Sequence, residues 1–155
     1  GYYCPASTVL VPTTQPVPCS VGTFGEREGL SHQDNCTICL AGKYCNGEGM
    51  VNVSGPITGG YFSRYGTTTA TPMDDDSTVR GQCPKGHYCP TGSEEPIPCP
   101  PGTYGFSWRL SSEDLCTPCG AGKYCPSQNM TADGSDCWPG YYCRSGSPVP
   151  DPANV

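Results

Sequence analysis

The chain has 155 residues, of which 13 are cysteine, 21 glycine and 18 proline, and its formal net charge is −6. Leu, Ile, Val and Phe together supply only 20 residues, which is too few for the hydrophobic core of an ordinary domain of this length. The composition excludes folds built on long apolar helices or buried parallel sheets, a basic nucleic-acid-binding stripe and a membrane-spanning helix. It predicts small modules held together by disulfide bonds.

The cysteine spacing repeats at a constant offset of 80 residues. Residues 19–45 and 99–125 both read C-x16-C-x2-C-x5-C. The neighbouring residues match as well, with C-S-V-G-T-F-G at residue 19 against C-P-P-G-T-Y-G at residue 99. The chain is therefore an internal tandem repeat.

A shorter unit, C-x-x-G-x-[Tyr/Phe], lies inside this repeat. In four copies a second cysteine directly follows the aromatic residue. We expect the glycine to allow a tight turn or a positive φ, and the ring to pack on a disulfide and on the next module as a miniature core. A ladder of carbohydrate-binding rings is the alternative. The copies begin at Cys19, Cys39, Cys83, Cys99, Cys119 and Cys137.

Disulfide bonds are expected to replace the missing core, since closing a loop of about 16 residues stabilises a fold by roughly 3 kcal/mol. A strictly local scheme uses all the cysteines, with Cys4 bonded to a cysteine outside the chain. Spacing alone does not fix the connectivity, and a crossed pattern among the cysteines at 116, 119, 125 and 137 is the alternative. The local pairs are Cys19–Cys36, Cys39–Cys45, Cys83–Cys89, Cys99–Cys116, Cys119–Cys125 and Cys137–Cys143.

In chain order, the pattern predicts four regions. Residues 1–45 form a first cysteine-rich repeat, truncated at its N-terminal side, and residues 46–82 form a Thr/Gly/Pro-rich insert. Residues 83–125 form the second repeat, and residues 126–155 form a linker and the start of a truncated third. Within the insert, the stretch G-G-Y-F-S at 59–63 resembles a unit that has lost its cysteines.

Three N-glycosylation acceptors, Asn35, Asn52 and Asn129, accompany the cysteines. Together with the oxidised pattern of cysteine usage, they predict a glycoprotein of the secretory pathway, located outside the cell or on its surface. The covalent partners expected are therefore glycans, with no cofactor.

Neither catalysis nor metal binding is expected. The two histidines, His32 and His87, belong to no catalytic or phosphate-binding motif. The two C-x2-C pairs, at 36/39 and 116/119, resemble zinc half-sites, but they are too far apart for a zinc ribbon and lie inside disulfide-like patterns. An acidic run at 74–76 lacks the alternating spacing of a calcium loop.

The units at residues 19–39 and 99–119 resemble the ephrin-receptor-like cysteine-rich repeats, which look like the modules of tumour-necrosis-factor and growth-factor receptors. The copies that continue as C-x-x-G-x-Y-C-P look like the tandem arrays of large extracellular protist proteins. The resemblance covers nearly the whole chain outside residues 46–82. It implies an elongated, disulfide-rich array of short β-hairpins and irregular loops, with little or no helix.

Two functions fit such an array. The first is a structural segment of an extracellular glycoprotein that associates with itself or with neighbouring repeats into a rod, fibril, flagellar hair or coat. The second is a ligand-binding module of a receptor or adhesin ectodomain. Trp108 and Arg109 are the only candidate contact cluster for a protein ligand, and the matching residues of the first repeat, Glu28 and Gly29, lack it.

Overall fold

The structure is a computed structural model in which residues 1–5, 15–73 and 79–151 are described. Its regular elements in these ranges are two- or three-residue strands and two single turns of 3₁₀ helix, Gln33–Asn35 and Glu113–Leu115. The acidic run at 74–76 lies outside the described residues. The strands are β1 (Tyr2–Tyr3), β2 (Val17–Pro18), β3 (Thr23–Phe24), β4 (Thr37–Ile38), β5 (Lys43–Tyr44), β6 (Gly55–Pro56), β7 (Tyr61–Ser63), β8 (Arg80–Gln82), β9 (His87–Tyr88), β10 (Ile97–Pro98), β11 (Thr103–Tyr104), β12 (Thr117–Pro118), β13 (Lys123–Tyr124) and β14 (Ser135–Asp136).

Each strand pairs antiparallel with one other strand, in seven two-stranded sheets: β1 with β2, β3 with β4, β5 with β6, and so on to β13 with β14. In the β3–β4 pair, for example, Phe24 lies opposite Thr37. The first strand of each pair carries the aromatic residue of a unit, and the second ends directly before the next unit begins. The predicted fold class, a disulfide-rich array of short β-hairpins with almost no helix, is confirmed.

The described chain contains seven complete units of seven residues. Position 1 is the first cysteine, position 4 the glycine, position 6 the aromatic residue and position 7 the second cysteine, where these are present. Residues 1–4 correspond to positions 4–7 of one more unit. The complete units are 19–25, 39–45, 57–63, 83–89, 99–105, 119–125 and 137–143.

Successive units meet at a repeated seam of two backbone hydrogen bonds. The position 4 N–H donates to the position 7 carbonyl of the next unit, as from Gly22 to Cys45 at 3.0 Å. In return, the position 1 N–H of the next unit donates to the position 4 carbonyl, as from Cys39 to Gly22 at 2.9 Å. All seven seams have this pair; at the first, the donor is the amino terminus of Gly1, 3.0 Å from the carbonyl oxygen of Gly25.

A second contact reaches back from the loop after each unit. Three or four residues beyond position 7, a residue with positive φ donates its N–H to the position 1 carbonyl of the preceding unit, at six places. We call this residue the loop donor. Four of the six loop donors are glycine, as expected for the left-handed region, and the other two are Arg109 and Asn129.

The position 4 glycine has a packing role as well as a conformational one. Gly86 has a φ of 79°, and a Cβ there would overlap the carbonyl oxygen of Asn129, the loop donor two units further on. A Cβ at Gly102 would overlap the carbonyl oxygen of Gly146 in the same way. Each unit therefore contacts both the next unit and the one after it, and the chain is a serial stack.

The small core is built from sulfur and aromatic carbon. The ring of Phe24 packs against Cys39 and Cys45 of the next unit, and the ring of Phe62 against Cys83 and Cys89 of its own next unit. At these two seams the ring packs against a disulfide, and that disulfide belongs to the next unit. Among the described residues, no helical segment has the length and hydropathy that a bilayer span requires.

Candidate functional site

Six disulfide bonds of two kinds stabilise the units between the seams. In four units, positions 1 and 7 are bonded to each other, six residues apart. In units 19–25 and 99–105, the position 1 cysteine is bonded to a cysteine seventeen residues further on, next to the 3₁₀ turn. The pairs, those of the local scheme, are Cys39–Cys45, Cys83–Cys89, Cys119–Cys125, Cys137–Cys143, Cys19–Cys36 and Cys99–Cys116, with Cα–Cα distances of 5.8–6.2 Å.

The two longer disulfides belong to the two units in which position 7 is glycine and not cysteine. A Cβ at Gly25 would lie 2.9 Å from Leu30 Cδ1 and 3.2 Å from the sulfur of Cys19. A Cβ at Gly105 would likewise lie 3.1 Å from Leu110 Cδ1, and the Leu110 residue is only 9% exposed. A leucine side chain thus fills the space beside position 7, and the cysteine at position 1 bonds elsewhere.

Unit 57–63 has neither cysteine but keeps the arrangement. Ile57 occupies position 1 and Ser63 position 7, and both are completely buried. The hydroxyl of Ser63 is hydrogen-bonded to the hydroxyl of Thr67, which is also buried. The sequence pattern found the residues at 59–63 but missed Ile57. The signal that could have found it is the six-residue separation of 57 and 63, which equals that of the bonded pairs.

Among the described cysteines, Cys4 alone keeps a free thiol that a metal could use; it is exposed and has no disulfide partner in the described residues. The sulfurs of Cys119 and Cys125 lie within 4.8 Å of a carboxylate oxygen of Asp133, but they are joined in one disulfide. The carboxylate instead accepts N–H groups of Gly120 at 3.1 Å and Gly134 at 3.0 Å. It is a turn-stabilising acceptor.

Both histidines make local contacts. His32 Nδ1 accepts the N–H of Asp34 at 3.3 Å and lies 3.1 Å from the carboxylate of the same residue. His87 Nδ1 lies 3.2 Å from the carbonyl oxygen of Lys85. These hydrogen bonds fix surface turns rather than orient a ring towards a nucleophile.

The three sequence-predicted glycosylation acceptors are all exposed. Asn35 ends the first 3₁₀ turn, beside the disulfide-bonded Cys36. Asn52 accepts the N–H of Val53 through its side-chain oxygen at 2.8 Å, and Asn129 is a loop donor with a φ of 54°. The stack therefore presents each acceptor on a turn or loop and not within a seam strand.

One tyrosine has a perturbed titration. Tyr88, at position 6, donates its hydroxyl to the carboxylate of Glu113 at 3.1 Å. Desolvation by the surrounding residues, followed by this hydrogen bond and the negative charge of Glu113, raises the pKa of Tyr88 above its ordinary value. Its ring also packs with Cys99 of the next unit and with Leu110 and Cys116 in the segment after it, so the hydrogen bond links unit 83–89 to that segment at the surface.

The loops after units 19–25 and 99–105 differ in chemistry. The first lines a shallow polar cleft of about 510 Å³ that includes Glu26, Arg27 and Asn35. The second exposes Phe106 at 57% and Trp108 at 56%.

Arg109, in the second loop, connects two distant parts of the chain. Its Nη1 donates to the hydroxyl of Tyr61 at 3.0 Å, and its guanidinium carbon lies 6.0 Å from the centre of that ring. The hydroxyl of Tyr61 also donates to the sulfur of Met73 at 3.6 Å. The sequence singled out Trp108 and Arg109 but gave no sign of Tyr61 or Met73.

Comparison with known proteins gives one partial similarity. No protein-family model matches the chain. It is 32% identical, over 143 residues, to the mouse protein "Signal peptide, CUB and EGF-like domain-containing protein 3". The aligned part covers 83% of this chain but only 12% of that relative, so the chain spans about an eighth of its length. That relative is named for EGF-like domains, and the six disulfide bonds make the present chain a disulfide-rich module.

Proposed function

We propose that this chain is a structural repeat segment of an extracellular or cell-surface glycoprotein, in which the stacked units form a stiff spacer that self-associates into a rod, fibril, flagellar hair or coat. The observation that carries the proposal is the seam, because the same two backbone hydrogen bonds recur at seven places over 2.7–3.0 Å. Backbone bonds do not depend on side-chain identity, so units of varied sequence extend one stack.

The location outside the cell is supported by the oxidised cysteines, since disulfide-dense small modules belong to oxidising compartments. The exposure of Asn35, Asn52 and Asn129 supports glycan attachment. The relative's name includes a signal peptide and EGF-like domains, and we extend a secreted location to this chain on that similarity. The narrower likeness to ephrin-receptor-like and tumour-necrosis-factor-receptor repeats stays part of this proposal.

A non-catalytic role is part of the same proposal. His32 and His87 have local partners, and twelve of the thirteen cysteines are in disulfides. The described side chains thus supply few groups for acid–base or nucleophilic chemistry.

Self-association is supported by large apolar side chains that the stack leaves in water away from its last unit. Ile38, Leu40 and Val51 are 51%, 52% and 67% exposed. Contact with another chain would remove part of this apolar surface from water.

Small-angle scattering of the oxidised protein tests the spacer. A compact domain of this length has a radius of gyration of about 15 Å. We expect a serial stack to have a clearly larger radius of gyration when the scattering data are extrapolated to zero protein concentration. A value near that of a compact domain would contradict the spacer.

Sedimentation velocity over a hundredfold range of concentration tests self-association separately. We expect the sedimentation coefficient to rise with protein concentration if the chains associate. An elongated protein that stays monomeric throughout would leave the spacer standing and overturn assembly.

A further inference from the structure

One of the three glycosylation acceptors contains a disulfide-bonded cysteine within its own recognition sequence. This sequence runs Asn35-Cys36-Thr37. Cys36 is bonded to Cys19, the first residue of unit 19–25. The other two acceptor sequences contain no cysteine. In the first repeat, therefore, two covalent reactions use neighbouring residues: glycan transfer to the asparagine and closure of the disulfide.

The backbone of this acceptor sequence is engaged in the folded chain. The Asn35 N–H donates to the carbonyl oxygen of His32 at 3.0 Å. The Cys36 N–H donates to the carbonyl oxygen of Gln33 at 2.9 Å. Thr37 lies in strand β4, which pairs with β3. A glycan transferase has to contact both the asparagine amide and the hydroxyl two residues later, so it needs all three residues free of the turn and the strand.

The folded chain nevertheless has room for a glycan that is already attached. Asn35 is exposed at the end of the 3₁₀ turn and lines the polar cleft together with Glu26 and Arg27. Its side-chain oxygen accepts the hydroxyl of Ser31 at 3.5 Å, and the amide nitrogen is the atom that carries a sugar. A glycan present before the turn closes would therefore stand over the cleft without displacing a seam.

The order of the residues brings the two reactions together in time. Cys19 precedes the acceptor and Cys36 lies inside it, so both thiols are present as soon as the acceptor sequence is complete. Their separation of 17 residues corresponds to about 1–3 s of synthesis at roughly 5–20 residues per second. Disulfide formation takes seconds to hours, depending on the oxidant. Glycan transfer thus has no period in which Cys36 lacks its partner.

We propose that Asn35 is glycosylated only in chains whose Cys19–Cys36 bond is still open, so that a competition between the two reactions sets the fraction of chains carrying this glycan. In glycan transfer, the asparagine Nδ2 bonds to the anomeric carbon of an oligosaccharide on a lipid pyrophosphate. The bond from that carbon to the phosphate oxygen breaks, and the amide loses one proton. In closure, the two thiols give two protons and two electrons to a protein disulfide, which becomes a dithiol.

This inference rests on the proposed function, since it requires a glycoprotein of the secretory pathway. It adds a consequence for the surface of the stack. Chains that receive the glycan have the polar cleft of the first repeat covered, and chains that close the disulfide first leave it open. The oxidising strength of the compartment therefore decides how many chains carry each surface.

The second repeat has the same closed turn without the acceptor. Leu115 ends its 3₁₀ turn, and the Cys116 N–H donates to the carbonyl oxygen of Glu113 at 2.8 Å, as in the first repeat. Residues 115–117 read Leu-Cys-Thr and differ from the acceptor sequence only at the first position. Leu115 is 49% exposed, so its replacement removes little burial. The two turns are a matched pair for experiment.

The first experiment measures glycan occupancy by mass spectrometry in the chain made by eukaryotic cells behind a secretory signal. We expect a minority of wild-type chains to carry a glycan at Asn35. In Cys19→Ser the acceptor sequence is unchanged but the disulfide cannot close, so the occupancy should rise at least twofold. The matched control Cys39→Ser also frees one thiol but keeps the Cys19–Cys36 bond, and it should leave the occupancy of Asn35 unchanged.

The second experiment leaves the sequence unchanged. Dithiothreitol, added to the cells during a short labelling period, keeps the thiols reduced while chains are made, and the occupancy of Asn35 should rise to that of Cys19→Ser. The rise should exceed any change at Asn52 and Asn129, whose acceptor sequences contain no cysteine. Chains are collected from cells and medium together, so a variant retained inside the cell is still counted.

A third experiment transfers the acceptor to the second repeat. Leu115→Asn should be glycosylated in a minority of chains, like the first repeat, and the occupancy should rise when Cys99→Ser is added. Full occupancy of the single variant, with its disulfide closed, would contradict the competition.

The outcomes separate this inference from the proposed glycoprotein. Equal occupancy of Asn35 in the wild type and in Cys19→Ser would overturn the competition. Glycans at Asn52 and Asn129 in the same chains would then leave the glycoprotein standing. A chain without a glycan at any of the three acceptors would overturn both.

Discussion

Units 57–63 and 83–89 adopt the same backbone arrangement, although one has no cysteine and the other closes with a disulfide. Their position 4 glycines have φ values of 88° and 79°, and each donates its N–H to the next unit at 2.8 Å. In unit 83–89 the ends are joined through sulfur, with Cα atoms 5.8 Å apart. In unit 57–63 the same two positions hold a buried isoleucine and a buried serine.

Since the geometry persists without the disulfide, the seam sets the backbone arrangement and the disulfide stabilises it. Closing a loop of about seven residues contributes roughly 2 kcal/mol by limiting the unfolded chain. Burying one isoleucine contributes about the same, 1.5–3 kcal/mol. One unit can therefore be stabilised by apolar burial in place of a disulfide bond. The whole chain cannot, because its aliphatic residues are too few.

The largest effect should come from reducing all the disulfides. Six bonds at about 2–3 kcal/mol each match or exceed the 5–15 kcal/mol that stabilises an ordinary domain. We expect the reduced and alkylated chain to lose its protease resistance and to give the circular dichroism spectrum of an unfolded chain. The control is the oxidised chain carried through the same alkylation, which modifies only Cys4. A reduced chain that keeps native protease resistance would show that the seam alone suffices.

A smaller effect should follow from adding one methyl group to a seam. In Gly86→Ala, the new Cβ overlaps the carbonyl oxygen of Asn129, and the alanine must adopt a positive φ. We therefore expect the free energy of unfolding to fall by about 3–4 kcal/mol. Gly140→Ala is the matched control, since Gly140 has a φ of 87° but nothing within 4 Å of its Cβ. It should lose only about 1–2 kcal/mol to backbone strain.

Urea denaturation followed by circular dichroism measures both glycine variants. Equal losses in the two would mean that the glycines serve backbone conformation alone and that the contact between alternate units adds nothing.

The smallest effect on stability should come from replacing the apolar burial of unit 57–63 by a disulfide bond. The double variant Ile57→Cys/Ser63→Cys places cysteines at the two buried positions, and we expect a seventh disulfide to form. Its stability should stay within about 1 kcal/mol of the wild type, because loop closure offsets the lost burial. Non-reducing peptide mapping detects the bond, and urea denaturation gives the stability.

The single variant Ile57→Ala, without a replacement bond, is the control and should lose about 2–4 kcal/mol. If the double variant keeps two free thiols, unit 57–63 does not share the geometry of the bonded units as closely as the backbone contacts indicate.

The sequence alone predicted the fold class, because the cysteine spacing and the C-x-x-G-x-[Tyr/Phe] unit are periodic. It also placed a decayed unit at residues 59–63. It could not place Ile57 at position 1, since packing selects a side chain by its volume and an isolated isoleucine carries no positional signal. Nor could it show that a leucine takes the space beside Gly25 and Gly105.

The order of amino acids therefore defines the module type, a disulfide-rich chain of short hairpins, because covalent and conformational constraints act over a few residues. Which units touch, and which side chains the stack brings together, follows from the way the whole chain folds. Arg109 and Tyr61 are 48 residues apart, and they meet because every unit contacts the one two places away. That contact depends on how the units stack in space, which no local pattern in the chain encodes.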